Sequence, residues 1–128
     1  MLIIVQETED FKYVTKKDPA AVILQATQRI QELRASLQSI DYVCSGSLST
    51  RLMTCGQASC RCHEDPTARH GPYHQWGHMQ DGKLLHRYVS SQQAVMLRRA
   101  IANFRAVKKL LRTWERETER LIDATYPR

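Results

Sequence analysis

SSQQAVMLRRAIANFRAVKKLLRTWERETERLIDA, residues 90–124, is the stretch that decides the fold. Ser90 and Gln93 have the form of a capping box, in which each side chain bonds the other's backbone N–H. Beyond them Leu97, Ile101, Phe104, Leu111, Trp114 and Leu121 recur at helical spacing. Val107 and Ile122 fall on the same side, and Leu110 at its margin. At about 100° per residue, Arg98, Arg105, Lys109, Arg112, Arg116 and Arg120 cluster on the far side. Lys108 falls nearer the apolar side and has to snorkel outward. The pattern predicts one helix about 50 Å long, apolar on one stripe and cationic on the other.

Working back along the chain, Asp18-Pro19 predicts a second helix start, a capping carboxylate before a proline preset for the first turn. Ile23, Ala26, Ile30, Leu33, Leu37 and Ile40 then alternate spacings of three and four, a heptad seam over residues 18–40. Neither apolar stripe can be left in water. The expected fold is therefore mainly α: an antiparallel, coiled-coil-like hairpin of two long helices in a single domain, 1–128, with residues 41–89 inserted as a small zinc-binding β-hairpin head. Residues 1–17 read as an arm with short strands at 2–6 and 11–15. The second helix outruns the first by about three turns. That overhang predicts a homodimer through the helices or a docked partner.

Residues 41–89 hold all five histidines, all four cysteines and all five glycines. Asp81-Gly82 is a hairpin turn between segments 73–79 and 84–89. His74, Trp76 and His78 would share one face of the first of these strands. Cys55, Cys60 and Cys62 have the spacing C-x4-C-x-C, and His70 follows. Three thiolates and an imidazole form a standard closed tetrahedral zinc set, and a metal would staple a head poor in large apolar side chains. Gly56 reads as the residue that lets this loop curl. Cys44 or His63 could replace His70 as the fourth ligand, and an all-cysteine set would approach an iron–sulfur spacing with one gap too short. No zinc-deaminase signature, phosphate loop or nucleophile elbow is present, so no catalytic residue is assigned.

The chain has 128 residues and a net charge of +6. Residues 1–40 are neutral and residues 41–89 nearly so, while residues 90–128 carry nine cations against four acids. Arg98, Arg99, Arg105, Lys108, Lys109 and Arg112 all precede the first acid of that stretch, Glu115. A solvated helix face normally mixes signs, so this run points to a polyanion, with Arg51, Arg61, Arg69, Lys83 and Arg87 adding charge around the head and Lys83 and Arg87 taken as contacts. Tyr73, Trp76 and Tyr88 could stack on unpaired bases. No run is long enough to span a bilayer, and no secretory leader is legible after Met1, so the cytoplasm is expected and disulfides are not.

Gly46-Ser47-Leu48, Arg51, Cys55-Gly56, Cys60-Arg61-Cys62, His70-Gly71-Pro72-Tyr73, Gly82-Lys83 and Tyr88-Val89 resemble a family of small prokaryotic proteins of unassigned function. The resemblance implies that Cys55, Cys60, Cys62 and His70 belong together, and it implies no activity. In size and charge such proteins are similar to accessory proteins of mobile elements or phages. The hairpin followed by Ser90 is also similar in pattern to small three-stranded DNA-binding modules attached to integrases. The expected function is a non-enzymatic, zinc-stapled nucleic-acid-binding protein, with DNA favoured over RNA. The alternative is an adaptor whose helical hairpin docks an acidic protein. A metal-dependent nuclease built on the histidine-rich head has the least support.

Overall fold

The computed structural model describes residues 18–128. The strands read at 2–6 and 11–15 lie outside them. Five main elements follow in order: α1 (Pro19–Gln38), β1 (Ser47–Met53), β2 (His70–Gln80), β3 (Lys83–Val89) and α2 (Ser91–Thr125). The chain divides into two compact units. One holds α1 and the part of α2 from Ala106 onward, and the other is Asp41–Arg105.

Local chemistry places the element ends. Asp18 caps α1 by accepting from the Ala20 N–H at 3.0 Å, with Pro19 at the first helical position. At the start of α2 the Gln93 N–H donates to Ser90 Oγ at 3.1 Å, and the Ser90 N–H donates to Gln93 Oε1 at 2.9 Å. Asp81 and Gly82 both have positive φ, 52° and 77°, as a two-residue hairpin turn of the type I′ class needs.

The sheet is antiparallel in the order β1-β2-β3. Leu48 pairs with Trp76, and Thr50 with His74, which in turn pairs with Val89. These residues form the inner face. Val89, Ala94, Leu97 and Ile101 make the core of this unit, with Cys44, Leu48 and Trp76 packed against it. His74 is buried on the same face, its Nδ1 2.8 Å from Thr50 Oγ1 and its Nε2 3.3 Å from Ser91 Oγ. A buried imidazole is thereby satisfied on both sides, and it ties both β1 and the start of α2 to β2.

This arrangement corrects the expected architecture. The fold is not a long-helix hairpin with an inserted β-hairpin module. The first turns of α2 spend their apolar stripe on a three-stranded sheet, so Ala94, Leu97, Ala100 and Ile101 are buried there and are not free to form a helix–helix seam. Further along, Leu111 and Ile122, both assigned to that seam, are 45% and 55% exposed. In the other unit Ala26 and Leu33 are buried, and Arg120, assigned to the cationic side, reaches Gln25 Oε1 at 3.2 Å and Glu117 at 2.8 Å.

Asp41 fastens the chain ahead of β1 to α2. It accepts from Asn103 Nδ2 at 3.0 Å and from the Tyr42 N–H at 2.7 Å, and it pairs with Arg99. Partial burial would raise its pKa, but the Tyr42 N–H, Arg99 and Asn103 outweigh this and hold it below the usual carboxylate value. A depressed folded-state pKa contributes stability above the unfolded value and loses it as pH falls through the folded one. Urea midpoints measured between pH 6 and pH 3 should therefore fall more steeply for the native chain than for Asp41→Asn. Equal slopes would remove Asp41 from the acid-sensitive set.

Candidate functional site

The connection between β1 and β2, residues 54–69, contains only two single 3-10 turns, Arg61–His63 and Pro66–Ala68. Asp65 organises the second turn by accepting from the Thr67 N–H at 2.9 Å and from Thr67 Oγ1 at 2.7 Å, and it pairs with Arg61 at 3.1 Å. These donors, Thr67 first, hold its carboxyl below the usual range. The loop is thus pinned to itself, with Cys62 buried and Cys55 and Cys60 half-buried.

Cys55, Cys60, Cys62 and His70 come together there, with one ligand atom from each within 4.8 Å of all the others. Cys55 lies just past β1, Cys60 and Cys62 bracket the first 3-10 turn, and His70 opens β2 opposite Met53. Sγ of Cys55 and Sγ of Cys62 are 3.7 Å apart, and Sγ of Cys60 is 3.4 Å from Nε2 of His70. The group could hold a metal ion. The alternative ligands lie elsewhere. Cys44 packs against the core, and its N–H donates to the Ala100 carbonyl at 3.1 Å. His63 is exposed and is not in the group.

The electrostatics of the cluster suit a ligand set. The Cys62 backbone N–H, then His70 and the neighbouring thiols, pull the Cys60 thiol down to about 6, which favours the thiolate that binds metals. Cys62 accepts from the Cys55 N–H at 3.3 Å, which lowers its pKa, yet burial and the adjacent thiols push it up. One soft anion is thus available at neutral pH beside thiols that a cation would deprotonate.

The cationic residues are more dispersed. Arg98, Arg99, Arg105, Lys108, Lys109 and Arg112 are all exposed on α2, and Lys83 and Arg87 are exposed on β3. Arg99 is engaged with Asp41. Arg87 lies over the Trp76 ring, 5.1 Å from its centroid. Trp76 does not join Tyr73 and Tyr88. It faces the helix side, stacks on His78 at 3.8 Å and donates its indole N–H to the Ser45 carbonyl at 3.0 Å. Tyr73 and Tyr88 sit on the opposite face with ring centroids 6.1 Å apart.

Sequence reasoning misses Gln75 and the strand that carries Arg51. Arg51 Nη2 donates to Gln75 Oε1 at 3.0 Å across β1 and β2. The signal is faint because, of the inner positions of β1, Leu48 is apolar and Thr50 is not, so the alternation that would announce a strand is broken.

Among the described residues no helix is long and apolar enough to cross a membrane. No curated protein and no solved structure matches the chain. The sequence model of one family, described as Domain of unknown function (DUF6788), matches residues 23–99, which take in the metal cluster, the whole sheet and the first turns of α2. With more than half of its length matched, the chain belongs to that family.

Proposed function

We propose that the protein is a non-enzymatic, zinc-stapled nucleic-acid-binding protein, with DNA as its ligand and the cytoplasm of a prokaryote as its setting. Zinc is the metal that the donor set favours. A tetrahedral ion with ligand bonds of about 2.3 Å to sulfur and about 2.0 Å to nitrogen implies S–S edges of about 3.75 Å and S–N edges of about 3.5 Å. Two of the six separations, 3.7 Å and 3.4 Å, lie close to those edges, and all six are within 4.8 Å. A closed set of four protein ligands is a structural site, with no position for substrate.

The observation that carries the nucleic-acid reading is the unbalanced cation run of α2. Arg98, Arg105, Lys109 and Arg112 are exposed and make no ion pair among the described residues. Four exposed cations that make no ion pair leave a positive field that phosphates would neutralise. An accessory role in a mobile element or phage fits the small size and this charge.

Charge reversal tests the reading. Arg105→Glu with Lys109→Glu is expected to weaken DNA binding by about tenfold or more. It should also reduce the slope of log K against log salt by about 1 for each phosphate that is no longer neutralised. Binding unchanged in strength and in salt slope would remove α2 from the interface.

A second reading, an adaptor for a protein partner, has its own observation. Tyr42, Val43 and Met96 are each 51% exposed and line a groove of about 430 Å³ with Cys44, Leu97 and Ala100. Co-purification of a stoichiometric protein after nuclease treatment would favour that reading over the first.

A further inference from the structure

The outer face of the sheet, turned away from α2, has no covering element among the described residues. Pairing across the strands puts Arg51, Tyr73, Gln75, His86 and Tyr88 on it. Tyr73 is 42% exposed and Tyr88 59%. Towards the hairpin end Met79 and Leu84, paired with each other, extend the same face and are equally open. A face of this composition is costly to leave in water unless it serves contact.

Three features specify the contact. First, β1, β2 and β3 contain no aspartate or glutamate, and the cation they place on this face is Arg51, since Arg87 lies over Trp76 on the helix side and Lys83 shares that alternation. Of the acids nearest in sequence, Asp65 pairs with Arg61, Asp81 sits in the turn, and Glu64 is exposed in the loop ahead of β2. Second, Arg51 is not a loose surface cation. Gln75 holds one of its guanidinium nitrogens at 3.0 Å, which aims the group along the sheet and leaves its remaining donors for an anion. Third, Tyr73 and Tyr88 are flat aromatic surfaces in edge contact, at 61° to one another, Tyr73 paired with Arg51 and Tyr88 with Gln75. Paired bases in a duplex offer a protein their edges. Only unpaired bases offer their faces, and exposed aromatic rings on a sheet reward that.

From these we infer that the outer face of the sheet binds an unpaired stretch of single-stranded DNA, with bases stacked on Tyr73 and Tyr88 and a phosphate held by Arg51. The inference rests on the nucleic-acid reading above and deepens it. The metal cluster gains a role in this arrangement, because it fixes the end of β1 against the start of β2, where Arg51 and Tyr73 are paired.

The test is fluorescence anisotropy of a labelled oligothymidine and of a labelled duplex with the full-length, metal-loaded chain. Tyr73→Ala and Tyr88→Ala should each weaken single-strand binding by about tenfold, and Tyr73→Phe and Tyr88→Phe should retain it. Amide shift mapping on the unmutated protein guards against misfolded variants, since the oligomer should move the signals of Tyr73, Gln75 and Tyr88. Native affinity in both alanine variants, or a duplex bound more tightly than the single strand, would overturn the inference and leave nucleic-acid binding standing. A native chain that binds neither probe would overturn the nucleic-acid reading itself.

Discussion

A strong chelator added to the purified protein is expected to unfold the Asp41–Arg105 unit while leaving much of the helical signal in place. The energies involved are lopsided. Structural zinc sites in small domains contribute about 10–16 kcal/mol at neutral pH, and whole domains are stable by only about 5–15 kcal/mol. Residues 54–69 have no core of their own, because Cys62 is the only buried side chain among them. Without an ion, little beyond the burial of Cys62 holds three thiols and an imidazole within 4.8 Å of one another. Loss of the cluster would free the end of β1 and the start of β2 together. Metal analysis should give a single zinc per chain. Cys60→Ser or Cys62→Ser should abolish that stoichiometry and lower the melting temperature by well over about 10 °C. Cys44→Ser should leave the metal content intact, since that residue is packed against Ala100 and the core. A chain that carries no metal, and whose thermal melt is indifferent to chelator, would contradict the assignment of a structural ion.

The parts of this site that are legible in the sequence share one property, that short-range chemistry determines them. C-x4-C-x-C with a following histidine points to a ligand group from spacing, with Cys44 and His63 left open as alternatives to His70. Asp18-Pro19, the Ser90 and Gln93 box and the Asp81-Gly82 turn each satisfy backbone groups within a few residues, so a local reading suffices. The architecture is not legible for the converse reason. An apolar stripe states that something must cover it and says nothing of what. Leu97 and Ile101 fit a helical seam as well as they fit the sheet that they do cover. β1 escapes notice because its inner positions are Leu48 and Thr50, and Thr50 faces a histidine in place of an apolar residue. Without β1 there is no three-stranded sheet in the reading, hence no outer face and no place for Arg51 and Gln75 to meet. Residue type groups Trp76 with Tyr73 and Tyr88 for stacking, and strand alternation separates it from both, since odd and even positions of β2 face opposite ways and Tyr88 of β3 pairs with Gln75.

The glycines lead to the second large effect, and they invert the expectation from sequence. Gly56 sits beside the first ligand, where the sequence points to a residue that lets the loop curl. A Cβ there would meet nothing within 4 Å, so Gly56→Ala should change stability by no more than about 0.5 kcal/mol. Gly46 carries the strict requirement. Its φ is +104°, a conformation that L side chains rarely adopt, at the entry to β1. A Cβ would also be driven into the carbonyl oxygen of Gly77, and would lie 2.9 Å from the His78 Cβ and 3.0 Å from the indole nitrogen of Trp76. None of these neighbours can yield cheaply. The carbonyl belongs to the central strand, at the position where Gly77 pairs with Ser47. The indole nitrogen is fixed by its bond to the Ser45 carbonyl. Backbone strain of about 1–3 kcal/mol therefore adds to an overlap that only a shift of β1 away from β2 can relieve. Gly46→Ala is expected to cost at least about 3 kcal/mol, read as a fall in urea midpoint with unchanged slope, or to leave no folded sheet unit at all. Trp76 fluorescence should report the same event, because the indole loses its partner when β1 moves. A Gly46→Ala chain as stable as Gly56→Ala would mean that β1 does not approach β2 as closely as the Ser47 and Gly77 pairing requires.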